Sequence, residues 1–151
     1  MRRALLLAAL FALAGCGGED KPSKEEFARS ADAICVDLEK QSQELAETQA
    51  TSTQDIVDFA GRARETARSA VSRVRDLEVP EGADGDVAEA WQDAVVTQAE
   101  DELIPALDRL EKAAKENDEQ ALLAAAQELE ALESSRAERL AGDLGARRCA
   151  D

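Results

Sequence analysis

The chain has 151 residues, with 18 lysines and arginines against 33 aspartates and glutamates, so its net charge is −15 at pH 7. This charge excludes nucleic acid as a partner, because binding to phosphates requires a basic surface. The chain contains no histidine, which excludes histidine-based acid–base catalysis, histidine-ligated zinc and bis-histidine haem. No cofactor or metal is expected, and only carboxylate chemistry of the glycosidase kind remains open to an enzyme.

The first residues have the layout of an export signal. Two arginines precede an apolar run over residues 4–12, which leads into Leu13-Ala14-Gly15-Cys16. The run is far shorter than the roughly 20 residues of a membrane-spanning helix and matches a signal peptide. Its last four residues resemble the lipobox of bacterial lipoproteins. That resemblance implies cleavage between Gly15 and Cys16, attachment of diacylglycerol to the Cys16 thiol and a lipid anchor at the extracytoplasmic face of the cell membrane. An ordinary secretory signal with a coincidental cysteine is the alternative.

A short linker follows the signal. Gly17 to Ser23 contains two glycines, a proline and charged residues without apolar periodicity, which is typical of a tether. We therefore divide the chain into a signal peptide over 1–15, a lipidated cysteine with its tether over 16–23 and a helical domain over 24–151. Seven extended residues reach only about 25 Å, so the domain is expected to lie close to the membrane.

Two amphipathic helices are predicted first. Ser23 and Glu26 form the Ser-x-x-Glu capping box that starts helices, and apolar residues then recur at spacings of three and four. A second helix is expected to start near Thr51 or Thr53 and to end before Pro80. It carries the most regular apolar stripe of the chain: Ile56, Ala60, Ala63, Ala67, Ala70, Val74 and Leu77.

Two further helices complete the predicted domain. The third starts at about residues 84–86, places Trp91 in the core, and is kinked or broken near 102–104 because Pro105 removes a backbone hydrogen bond. The fourth starts at Asn117 or Asp118 and ends at the glycines that precede a short tail. Four helices with short connections predict an all-α, up-down-up-down four-helix bundle. Two helical hairpins that pack loosely or dimerise are the alternative.

The cysteines support this topology. If Cys16 is lipidated, Cys35 and Cys149 remain as an even pair, and such a pair in an exported protein predicts a disulfide. In the predicted bundle the first half of helix 1 lies beside the end of helix 4, which brings the two cysteines together. The alternative is one buried free thiol and one thiol at a frayed terminus.

Five polar residues are predicted to lie at similar heights in the bundle, near gaps in the apolar stripes, since a helix rises about 1.5 Å per residue. They are Gln41, Arg64, Gln98, Glu102 and Glu130. One interpretation is a polar pocket for a small cationic or amide-bearing ligand. The other is a hydrogen-bonded layer that fixes the register of the helices, or side chains that simply turn to solvent.

Several residues together suggest a family. They are the lipobox, Phe27 followed by Ala31-Asp32-Ala33-Ile34-Cys35, the Val79-Pro80 break before a tryptophan-bearing helix, and Gly145 with Cys149. With these features the chain resembles a loose group of small, mostly uncharacterised lipoproteins of high-GC Gram-positive bacteria. The resemblance spans the mature chain. It implies an exported helical domain closed by one disulfide, and it implies no activity.

The sequence as a whole predicts an exported, lipid-anchored, non-enzymatic protein that acts as an interaction or scaffold module of the cell envelope, with a protein partner there. The first alternative is a surface lipoprotein that binds a small ligand between its helices. A remote alternative is a carboxylate-based hydrolase of the cell wall, which needs two acids facing one cleft, one of them with a raised pKa.

Overall fold

The structure is a computed structural model that describes residues 21–47 and 51–150. Helices alone, without a strand, make up the regular structure of these residues, which confirms the predicted all-α class. None of the helices in these two ranges combines the length and the apolar character needed to cross a bilayer. The elements are α1 (Lys24–Ala46), α2 (Thr53–Arg75), α3 (Ala83–Thr97), a π-helical segment (Gln98–Leu103), α4 (Ile104–Glu116), α5 (Glu119–Glu130), α6 (Ser135–Leu144) and α7 (Arg147–Ala150).

Reciprocal side-chain caps start the first two helices. The Ser23 hydroxyl accepts the N–H of Glu26, and the Glu26 carboxylate accepts the N–H of Ser23 at 2.8 Å. The second helix uses the same arrangement between Ser52 and Asp55, so its cap lies between the two predicted threonines. Donation from the Ser23 backbone lowers the pKa of Glu26, and hydrogen bonding to the Ser52 side chain lowers the pKa of Asp55.

Two residues reverse the chain between α4 and α5. Asn117 adopts a left-handed conformation with φ of 52°, and the N–H of Asp118 donates to the carbonyl of Ala113 at 3.0 Å. This is the Schellman arrangement, which satisfies carbonyls at a helix end. The Asp118 carboxylate then accepts the N–H of Ala121 at 3.0 Å and caps α5. The predicted start of the fourth helix is confirmed.

The third and fourth predicted helices are both interrupted. Between α3 and α4 the chain forms the π-helical segment, and Pro105 is the second residue of α4. The interruption expected from Pro105 is present and begins earlier than residues 102–104. The fourth helix was expected to be continuous, but residues 131–134 separate α5 from α6. Ser135 and Glu138 repeat the Ser-x-x-Glu signal, although Ser134 is the residue that precedes α6.

The larger hydrophobic cluster lies between the first half of α1, the end of α2, α3, α6 and the C-terminal residues. Phe27 and Trp91 are each 1% exposed and pack edge to face, with ring centroids 5.8 Å apart. Such a pair contributes about 0.5–1.5 kcal/mol beyond the burial of its area. The clustered alanines around the rings are nearly or fully buried and let the helices approach closely: Ala28, Ala31, Ala88, Ala141 and Ala146.

A smaller cluster joins α2, α4 and α5. Its buried members are Ala60, Leu110 and Ala125. Helix α5 packs mainly on α4, whereas α1 packs on α2, α3, α6 and α7. Four of the five buried residues of α1 lie in its first half, so its second half contributes less to the buried core.

Two residues of α3, Gln92 and Gly85, contact the end of α2 and the turn that connects the two helices. The Gln92 side chain donates to the carbonyls of Val74 and Leu77 at 2.7 and 2.9 Å, which satisfies the end of α2. Gly85 is buried in the first turn of α3, where a Cβ atom would overlap with the carbonyl oxygen of Pro80. This close approach requires glycine at position 85.

We expect Gly85→Ala to lower the free energy of unfolding by about 1–3 kcal/mol, because the added methyl group forces the turn away from the helix. Gly61→Ala is the matched control, since a Cβ atom at Gly61 in α2 meets nothing within 4 Å. That change removes a helix-interior glycine and should stabilise the protein by up to about 1 kcal/mol. Urea unfolding of both variants measures the difference. Equal effects of the two substitutions would contradict the packing argument.

Candidate functional site

A disulfide and a helix cap join α1 to the C-terminus. Cys35 and Cys149 are bonded, with Cα atoms 5.4 Å apart and a sequence separation of 114, as the sequence predicts. The carboxylate of Asp32 accepts the N–H of Arg148 at 2.7 Å, at the start of α7. The Arg148 guanidinium also pairs with Glu39. A loop of this length corresponds to a stabilisation of about 4–5 kcal/mol in the chain-entropy description of disulfides.

The structure does not describe the residues predicted for lipidation and signal cleavage. Cys16 and Gly15 are outside the described residues, as is the first part of the tether. The lipobox and the anchor therefore stay predictions from the sequence.

The polar residues predicted on α1 and α2 each pair with a neighbouring helix. The Thr66 hydroxyl donates to the Gln41 side chain at 3.1 Å, which links α1 to α2. Arg64 pairs with both Asp108 and Glu111 and links α2 to α4. Hydrogen bonding raises the pKa of Arg64, with Glu111 as the leading partner and Asp108 next. Both residues serve contacts between helices.

The remaining three polar residues lie near the break in the fourth helix. The Gln98 side chain donates to the carbonyl of Glu133 at 3.0 Å, so it satisfies a backbone group that the break leaves outside a helix. Glu102 lies beside Gln98 in a depression of about 150 Å³, and Glu130 is exposed at the end of α5. Gln98 and Glu102 thus come together. Gln41 and Arg64 do not line this depression, so the contacts match the register-fixing interpretation better than a single pocket.

The described residues also form an apolar cleft that the sequence does not predict. It has a volume of about 450 Å³ and lies between α1, α2, the π-helical segment, α4 and α5. Buried Ala67 and Leu107 belong to its lining. Four large apolar side chains on its walls are only half-buried. The lining residues in the described part of the chain, called the apolar cleft below, are Leu38, Ser42, Leu45, Ala46, Phe59, Ala63, Thr66, Ala67, Leu103, Leu107 and Leu129.

Small residues on α2 create the space. Ala63 and Ala67 line the cleft together with leucines from the other helices, and longer side chains at these two positions would occupy part of it. In the sequence these alanines belong to a regular apolar stripe, which indicates a packed helix face and gives no sign of a cleft. Among the described residues of the lining, Ser42 and Thr66 are the only ones with polar side chains.

Charged depressions adjoin the apolar cleft. One shares Leu45 and Thr66 with it and also contains Glu44, Glu65 and Arg62. The other shares Leu45 and Phe59 with it and contains four carboxylates together with the same arginine: Asp55, Asp58, Glu65 and Glu111, with Arg62. Among the described residues that line these two depressions, carboxylates therefore outnumber cations.

Glu111 belongs to an ion-pair network on α4. Hydrogen bonding to Lys115 and then to Arg64 lowers the pKa of Glu111 below its ordinary value of 4.5. Charge-assisted hydrogen bonds of this kind favour the ionised carboxylate. No group of three or more cysteine, aspartate, glutamate or histidine side chains is arranged to hold a metal ion within residues 21–47 and 51–150.

Comparison with models of known protein families, with curated proteins and with solved structures found no match for this chain.

The ion-pair network predicts a specific pH dependence. Because the pKa of Glu111 is lowered in the folded protein, its contribution to stability is full above about pH 5 and is lost as the pH falls through the lowered folded value. Glu111→Gln should therefore destabilise the protein at pH 7, and the difference from wild type should shrink below about pH 4. Urea unfolding between pH 7 and pH 2 measures this.

Glu89→Gln, an exposed change on α3, is the matched control and should follow the wild-type profile. A constant difference between wild type and Glu111→Gln over the whole pH range would show that the carboxylate is not stabilised by its cationic neighbours.

Proposed function

We propose that this chain is an exported, lipid-anchored protein of the cell membrane that binds a small apolar ligand at the extracytoplasmic face. The proposed signal peptide spans residues 1–15, and Cys16 carries the lipid. Two features of the chain support export. The lipobox is one, and the other is the disulfide between Cys35 and Cys149, because disulfides persist in oxidising compartments outside the cytosol.

The apolar cleft is the observation that carries the binding function. Its volume of about 450 Å³ falls within the roughly 300–1,000 Å³ of small-molecule sites. Such sites are mostly apolar with a few polar groups, which matches a lining of leucine, phenylalanine and alanine with Ser42 and Thr66. A scaffold that binds its protein partner through a polar surface does not need an apolar cleft of this size. The cleft therefore favours the ligand-binding alternative over the interaction module.

The proposed topology is the up-down-up-down bundle with two interrupted helices. In this arrangement α3, the π-helical segment and α4 together form the third helix of the bundle, and α5 and α6 together form the fourth. The packing of α1 on α2, of α2 on α4, of α4 on α5 and of α3 on α6 supports it. The apolar cleft then occupies the part of the bundle interior that faces the second half of α1.

The proposed function involves no catalysis. A carboxylate hydrolase requires one acid with a raised pKa. The carboxyl groups of Glu26, Asp55 and Glu111 instead have lowered pKa values because each accepts hydrogen bonds. Glu111 and Asp55 are the two of these that lie beside the cleft, so the shifts there favour charge retention and not proton donation.

The anchor is tested by the intact mass of the protein extracted from membranes of its native host. We expect a chain that begins at Cys16 and carries acyl groups, and we expect its mass to rise by two hydrogens on reduction of one disulfide. An unlipidated chain of the same length would place the protein in the secreted class. A mass unchanged by reductant would contradict the disulfide.

Binding is tested with a photoreactive, uncharged dodecyl alcohol that carries a diazirine on its tail. The mature protein is reconstituted in phosphatidylcholine nanodiscs, and labelled peptides are mapped by mass spectrometry. We expect labelling at residues 38–46 and 103–107, and we expect Ala63→Leu to abolish it by filling the cleft. Ala33→Leu, an exposed change at the distant end of α1, should leave it intact. Labelling that both variants share would contradict binding in the cleft.

A further inference from the structure

The charges beside the apolar cleft indicate which ligands it accepts. Leu45 and Thr66 belong both to the cleft and to a depression that contains Glu44, Glu65 and Arg62. Leu45 and Phe59 connect the cleft in the same way to a second depression, which adds Asp58. A molecule whose apolar part fills the cleft would therefore place its other end among these groups.

Not all of these carboxylates are equally available to a ligand. Asp55 accepts hydrogen bonds from Ser52 and Thr51 in the cap of α2, and Glu111 is paired with Arg64 and Lys115. Glu65 is exposed and lies in both depressions. It is therefore the carboxylate best placed to meet the polar end of a ligand from either side.

The negative charge beside the cleft favours some possible ligands over others. A second copy of the mature chain would bring another strongly negative net charge towards the same carboxylates, and like charges repel across such an approach. An anionic amphiphile, such as a fatty acid, meets the same repulsion. A cation is attracted, although Arg62 and solvent screening limit the effect.

From the apolar cleft and its acidic surroundings we infer that the ligand is a cationic amphiphile: an apolar chain or ring system that lies in the cleft and an amine or quaternary ammonium group that lies near Glu65. This inference rests on the proposed function, because it specifies the chemistry of the ligand in the same cleft. It involves no covalent step.

Three photoreactive probes with one common tail test the inference. They are the dodecyl alcohol above, the corresponding dodecylamine and the corresponding dodecanoic acid, each used with the mature protein in phosphatidylcholine nanodiscs. We expect the amine to label the cleft peptides at about fivefold lower concentration than the alcohol, since one screened charge pair near a surface gives a preference of this order. The acid should label more weakly than the alcohol.

Two charge variants test whether Glu65 causes the preference for the amine. Glu65→Gln should reduce the preference for the amine over the alcohol. Glu89→Gln on α3 should leave this preference unchanged. Because Glu65 is exposed and lies outside the hydrophobic clusters, the variant is expected to fold, and far-ultraviolet circular dichroism checks this.

The outcomes separate the two proposals. Equal labelling of the cleft by all three probes, or a preference for the acid, would overturn the cationic ligand while ligand binding in the cleft stands. A preference for the amine that survives Glu65→Gln would overturn the role of Glu65. Failure of every probe to label the cleft peptides would overturn both the inference and the proposed binding function.

Discussion

The closure between the first half of α1 and the C-terminus is the constraint on which the rest of the structure depends. The Cys35–Cys149 disulfide and the cap from Asp32 to Arg148 hold α7 against α1. Because α6 leads directly into α7, this closure also places α6 near α1 and completes the cluster around Phe27 and Trp91. The Ala-Asp-Ala-Ile-Cys element thus supplies a buried alanine, a helix cap, a buried isoleucine and a disulfide within five residues.

The same closure leaves the two ends of the domain unequal. One end has large aromatic side chains, closely packed alanines and a covalent bond. The other has a small cluster around Leu110 and the apolar cleft. The interruptions in the third and fourth predicted helices meet between these ends, where Gln98 donates to the carbonyl of Glu133.

The polar residues illustrate how far the sequence could predict the site. Helix rise places Gln41, Arg64 and Gln98 at similar heights, but a shared pocket also requires each helix to be rotated so that the side chains face one another. That rotation is set by the packing of neighbouring helices. Arg64 is turned towards Asp108 and Glu111 on α4, and Gln41 towards Thr66 on α2. The apolar cleft was not predicted for a related reason. Ala63 and Ala67 belong to a regular apolar stripe, and the sequence pattern of such a stripe is the same whether or not side chains from other helices pack against it.

The sequence by itself determined the helical class, the capping box at Ser23, the turn at Asn117-Asp118 and the pairing of Cys35 with Cys149. The first three depend on apolar periodicity and local hydrogen bonding, which a linear sequence contains, and the pairing follows from the number of cysteines once Cys16 is taken as lipidated. The tertiary structure alone decided the break over residues 131–134, the partners of the polar side chains and the space between α1 and α5. These depend on the sum of many weak contacts between helices that are distant in sequence, and no short pattern records that sum.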